Sequence, residues 1–126
     1  MTTRHLDTQV VVWLYGGVSK RLAPARRHLD GRVLVISPMV LLELQYLYEI
    51  GRVSAPAQDI VDELAASAGL RIATESWTEV TRTALDLTWT RDPFDRLIVA
   101  HALTANHQLV TADERIRQHC PLAVWD

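Results

Sequence analysis

The chain holds one cysteine, Cys120, and one lysine, Lys20, in 126 residues. A single cysteine excludes an internal disulfide and a zinc site built from several thiolates. Cys120 stands before Pro121 and reads as a packing residue near a turn. Long apolar runs are also missing, and none approaches the roughly 20 residues that span a bilayer. The amino end shows no apolar segment leading to a small-residue cleavage site, so no secretion signal is expected and the cytoplasm is the expected compartment. Repeats, linkers and low-complexity segments are lacking as well, and the length suits one domain over residues 1–126.

Net charge is only −2, which does not by itself advertise a nucleic-acid binder. Its distribution is uneven. Residues 1–52 carry seven Lys/Arg against four Asp/Glu, and residues 53–126 carry six against eleven. Lys20, Arg21, Arg26 and Arg27 lie close together, with Arg32 nearby. They make either a solvated helix face or a surface for an RNA backbone.

What is present is an alternation of apolar strands and helices. Residues 4–7 form a candidate strand, and Thr8 to Tyr15 a short buried helix capped by Thr8 and ended by Gly16 and Gly17. A basic helix is expected from Ser19 to Leu29, interrupted near Pro24. Arg32 to Ile36 is apolar without alternation, as in a parallel strand buried on both faces. Ser37 and Pro38 then supply an N-cap and a first helical position. Helices follow over Pro56–Ala68, Trp77–Trp89 and Pro93 to about Asn106, with a brief strand at Arg71–Ala73. Gln108–Thr111 reads as a strand, Glu114–His119 as a helix and Leu122–Trp125 as a closing strand. The pattern implies a mostly parallel α/β sheet with helices on both faces.

Acidic residues recur at comparable places in that pattern. Asp7 ends the first strand, Asp113 ends the strand over Leu109–Thr111, and Glu43 lies among leucines on the helix after Ile36. Asp95 opens the otherwise apolar helix that begins at Asp92 and Pro93. Each has a plain alternative as a helix cap or a salt-bridged residue, and Asp92 suits a cap especially well. Taken together, they would converge outside the carboxyl ends of the strands, where open α/β sheets gather ligands. Four such carboxylates repel one another unless a cation neutralises them. An all-oxygen donor set favours Mg²⁺ or Mn²⁺, which can activate water for phosphodiester hydrolysis. The five histidines show no metal-binding spacing; His101 reads as a core residue, and the four tryptophans as core or interface anchors.

Four motifs resemble the PIN-domain family, and more narrowly the VapC-type toxins of toxin–antitoxin pairs. They are Leu6, Asp7, Thr8; then Ser37 through Leu44; then Arg91 through Ala100; then Leu109 through Asp113. The resemblance spans essentially the whole chain. It implies a PIN-like three-layer α/β/α domain and an Mg²⁺- or Mn²⁺-dependent endoribonuclease acting on structured RNA such as tRNA or rRNA. The family's acids fall on Asp7, Glu43, Asp95 and Asp113, with Asp92 in reserve, and its hydroxyl beside the last acid falls on Thr111. A homodimer and a small VapB-like antitoxin as partner are implied too. Two rival readings stand beside this one. A phospho-accepting receiver domain would need a lysine at the site, and Lys20 is remote in sequence from these motifs. An inactive PIN-like binding module would keep the fold without the chemistry, and the intact acids argue against it.

Overall fold

The structure, a computed structural model, describes residues 2–126. Five strands form one sheet: β1 (Thr3–Leu6), β2 (Val33–Ile36), β3 (Arg71–Ile72), β4 (Gln108–Val110) and β5 (Ala123–Val124). Their spatial order is β3-β2-β1-β4-β5, and every pairing is parallel. Parallel neighbours need crossover connections, and helices supply them here. The first crossover carries α1 (Thr8–Gly16), α2 (Ser19–Leu22), a 3₁₀ turn over Ala23–Ala25, and α3 (Arg26–Leu29). The second carries α4 (Pro38–Glu49) and α5 (Ala57–Ala68). The third carries α6 (Trp77–Leu85) and α7 (Pro93–Ala105), and α8 (Glu114–His119) leads to β5. The result is a three-layer α/β fold.

Local chemistry sets most of these boundaries. Ser37 Oγ accepts the Met39 amide at 3.2 Å and Asp92 Oδ1 accepts that of Phe94 at 2.8 Å. In both places proline follows the cap at the first helical position, where its missing N–H costs nothing. Gly17, at φ 66°, closes α1 with a left-handed cap that a side chain would disfavour. Pro24 interrupts the basic segment as expected, splitting it into α2 and α3 around the 3₁₀ turn.

Three expectations need correction. Asp7, not Thr8, is the N-cap of α1: its Oδ1 accepts the Thr8 amide at 2.8 Å. The helix expected to reach Trp89 stops at Leu85. Arg96, from α7, donates its Nε to the Ala84 carbonyl at 2.8 Å and its Nη2 to that of Leu85 at 3.1 Å. A distant guanidinium thus satisfies carbonyls that another helical turn would have used. The closing strand is shorter than expected, covering Ala123 and Val124.

The core lies on both sides of the sheet. Leu6, Ile36, Leu44, Ile98, Leu109 and Ile116 are all at most 1% exposed. Burying each such side chain contributes about 1.5–3 kcal/mol. The helix α7 is buried along Ile98–Ala102, as its apolar sequence demanded. His101 is fully buried and satisfied, with Nδ1 3.1 Å from Ser37 Oγ and Nε2 3.1 Å from Glu75 Oε1. Trp13 packs on Trp125, with ring centroids 5.8 Å apart, and Trp89 stacks on His119. Among the described residues no helix is long and apolar enough to cross a membrane.

Candidate active site

The strand order reverses direction between β1 and β4. The chain builds outward from β1 through β2 to β3, then returns to place β4 and β5 on the other side. Crossovers on opposite sides leave a crevice at the carboxyl ends of the two central strands. Asp7 directly follows β1, and Thr111 directly follows β4. The Asp7 amide donates to the Val110 carbonyl at 3.0 Å, so the ladder itself brings these two strand ends together.

A cavity of about 180 Å³ opens there, lined by Asp7, Thr8, Gln9, Glu43, Leu47, Asp95 and Asp113. All four acids expected from the sequence meet in it. They come from four elements: the end of β1, the middle of α4, the first turn of α7 and the cap of α8. Larger recesses exist elsewhere on the molecule, but none gathers these acids.

The acids are held to different degrees. Asp7 is buried, with one oxygen on the Thr8 amide and the other accepting the Thr111 hydroxyl at 2.6 Å. Thr111 Oγ1 also accepts the Asp113 amide at 3.1 Å. Asp113 is exposed and uses Oδ1 to cap α8 at the Ile116 amide, 3.0 Å away. Glu43 is half-buried and accepts a hydrogen bond from the Thr8 hydroxyl.

Burial pushes the Asp7 carboxyl above its usual range, opposed by the bonds from Thr111 and Thr8; the charges of Asp113 and Asp92 push it further. Burial likewise raises Glu43. Asp95 stands apart. Burial first, then the charges of Asp7, Asp92, Asp113 and Glu43, raise it to about 7, and no hydrogen bond offsets them. The acids therefore repel one another on top of the cost of burial.

The remaining expected residues fall outside the cavity lining. Asp92 is an exposed N-cap whose charge reaches the acids without lining their cavity. Lys20, Arg21, Arg26 and Arg27 are exposed on α2 and α3, and the Arg21 guanidinium sits 5.5 Å from the Trp13 ring centroid. Thr8 was read only as a cap, yet its hydroxyl positions Glu43. A hydroxyl directly after a strand-end acid was the available signal.

A family model described as PIN domain matches residues 5–120. The chain belongs to the PIN-domain family. Ribonuclease VapC22 of Mycobacterium tuberculosis is 33% identical to it, over 99% of this chain and 100% of that protein. Among solved structures, VapBC2 from Rickettsia felis bound to a DNA fragment from their promoter superposes with a TM-score of 0.70. That match has 23% identity and covers 99% of this chain and 100% of the other. DNA-bound VapBC from Salmonella typhimurium gives 0.66, at 19% identity over 98% and 96% of the two chains. These neighbours agree on the fold, a parallel three-layer PIN architecture.

The donor set of this PIN domain suits a hard divalent cation: carboxylate oxygens, with no thiol or imidazole in the lining. Among the described residues, no three His, Cys, Asp or Glu side chains are already drawn together as a closed ion shell. The carboxylates share a cavity and repel, and a cation entering it would draw them in.

Proposed function

We propose that this chain is an Mg²⁺- or Mn²⁺-dependent endoribonuclease, the toxin of a toxin–antitoxin pair. The convergence of Asp7, Glu43, Asp95 and Asp113 on one cavity at the sheet's switch point carries the reading. The relative named as a ribonuclease supports RNA as substrate, and the VapBC neighbours support a small VapB-like antitoxin as partner. A homodimer belongs to the same proposal.

In this reading, Asp7, Glu43, Asp95 and Asp113 hold the cation. When bound there, it supplies Lewis-acid stabilisation of a phosphate oxygen and an activated water. The protein's own groups then have separable tasks. Thr111 fixes Asp7 and, through the Asp113 amide, the loop that presents Asp113. Thr8 fixes Glu43 against α1. Asp95, free of hydrogen bonds and raised to about 7, would be partly protonated at neutrality without a cation and would ionise on holding one. Leu47 is the one apolar side chain in the lining.

The test is sequencing of RNA ends after a brief pulse of expression without antitoxin. New ends at defined positions with wild type, absent with Asp95→Asn, are expected. No new ends with wild type would remove the proposal and leave an inactive binding module, and the same new ends in both would remove Asp95 from the chemistry.

A further inference from the structure

We propose that Arg4, Arg27, His28 and Arg32 form a binding recess for a phosphate-class oxyanion, at the opposite end of β1 from the acids. The register of the sheet brings the first pair together. Arg4 is the β1 partner of Leu34 in β2, and Arg32 lies two residues before Leu34. Side chains two apart on a strand share a face, so Arg4 and Arg32 are diagonal neighbours on one side of the sheet. His5 points the other way, against His101 of α7, with ring centroids 5.5 Å apart. The helix α3 brings Arg27 and His28 to the arginine side, and Arg32 Nη2 donates to the Arg27 carbonyl at 3.4 Å.

Arg4 makes this cluster unusual. It is 7% exposed, and its one polar contact is a long bond from Nη1 to the Thr3 carbonyl, 3.4 Å. A guanidinium does not shed its proton under biological conditions. A buried one therefore needs an anionic partner, and Arg4 forms no ion pair among the described residues. The ion pairs among the described residues join His101 to Glu75 and Arg117 to Asp126, and Arg4 belongs to neither. The charge that acts on Arg4 itself is cationic, and the backbone of Asp126 reaches the cluster only at His28. Burial lowers the Arg4 pKa and Arg32 lowers it further; burial and then the charge of Arg27 lower His28, opposed by a hydrogen bond with the Asp126 backbone.

Three buried nitrogens in the cluster, Arg4 Nε, His28 Nε2 and Arg32 Nε, have no hydrogen-bond partner among the described residues. Arg27 is exposed, and His28 and Arg32 are half-buried, so the cluster borders solvent. Guanidinium groups converging from a strand, a strand entry and a helix offer donors from several directions. A tetrahedral, multiply charged oxyanion meets that arrangement better than a single planar carboxylate. Asp7 lies three residues beyond Arg4, about 10 Å along the strand, so this recess is separate from the acid cavity. The inference does not rest on the acids being catalytic.

Melting of the full chain with inorganic phosphate, against sodium chloride at matched ionic strength, tests it. Phosphate is expected to raise Tm by several degrees more than chloride. Arg32→Gln, and Arg4→Met where that variant folds, should lose this phosphate-specific gain. Arg4→Met should also melt no lower than wild type in chloride, because it removes an uncompensated buried charge. Equal Tm in phosphate and chloride for wild type, or an undiminished phosphate gain in Arg32→Gln, would overturn the proposal. Binding of RNA to the Asp95→Asn chain across salt concentrations identifies the source of the oxyanion. A salt slope that falls by about one when Arg32→Gln is added assigns the recess to an RNA backbone phosphate. An unchanged slope, with the phosphate gain lost, assigns it to the free ion.

Discussion

The Thr111 hydroxyl donates to Asp7 Oδ2 at 2.6 Å, joining residues 104 positions apart in sequence. Both groups are buried, so this bond orients the least accessible acid of the site and ties the ends of the two central strands. Thr111→Val keeps the shape and removes the donor. It should cost about 1–3 kcal/mol of stability by leaving Asp7 under-satisfied. RNA cleavage should fall about 10–100-fold, as for partners that orient metal ligands. Denaturant melts and initial rates, measured on the same preparation, check both effects. A stability loss with full activity would make Thr111 structural only.

Thr8→Val tests the other oriented acid. Its hydroxyl bonds Glu43 across α1 and α4. Removing it should weaken Mn²⁺ binding several-fold in calorimetry while leaving the helix intact, because Asp7 supplies the cap. Unaltered Mn²⁺ affinity would mean Glu43 does not meet the ion.

The pH dependence of stability follows from Asp95. Its folded value of about 7 lies above the ordinary 3.8. The folded chain thus holds a proton that the unfolded chain has released between about pH 4 and 7, and metal-free stability should fall as pH rises through that window. After discounting for its partial exposure, the loss is about 1 kcal/mol, a few degrees in Tm. In EDTA, Asp95→Asn should reduce this slope, leaving the part of the same sign that Asp7 and Glu43 supply. A wild type whose Tm is level from pH 4.5 to 7.5 would contradict the stored repulsion.

Asp113→Asn separates repulsion from capping. Asparagine caps a helix about as well as aspartate, so α8 should survive. Losing the charge relieves Asp7 and Asp95, and the metal-free Tm should rise. The further rise given by excess Mn²⁺, about 2.7 kcal/mol at a hundredfold over Kd for wild type, should shrink. A mutant that melts lower in EDTA yet gains as much from Mn²⁺ would place Asp113 outside the ion site.

Much of this arrangement could be read from residue order, because its signals are local. Ser37-Pro38 and Asp92-Pro93 mark helix starts by cap chemistry, and the unalternating apolar run through Ile36 marks a parallel strand, buried at Leu34 and Ile36 but only half-buried at Val33 and Val35. The four acids were legible as a set because each stands at a strand end or an early helical turn, and the sheet brings such places together. What stayed hidden depends on long-range partners. The early stop of α6 is imposed by Arg96, eleven and twelve residues downstream of the carbonyls it satisfies. The Thr8 contact with Glu43 requires knowing how α1 crosses α4. His5 meets His107 where β1 pairs with β4 and meets His101 where α7 packs on the sheet, so their sequence spacing gave no hint.

The most direct measurement is cleavage of total RNA by the purified chain in Mn²⁺ and in EDTA, with wild type and Asp95→Asn side by side. Cleavage by wild type in Mn²⁺, its loss in EDTA, and a fall of at least about a hundredfold in the folded Asp95→Asn chain are the expected results. Cleavage that persists in EDTA, or in Asp95→Asn at the wild-type rate, would contradict a cation held by these four acids as the source of the chemistry.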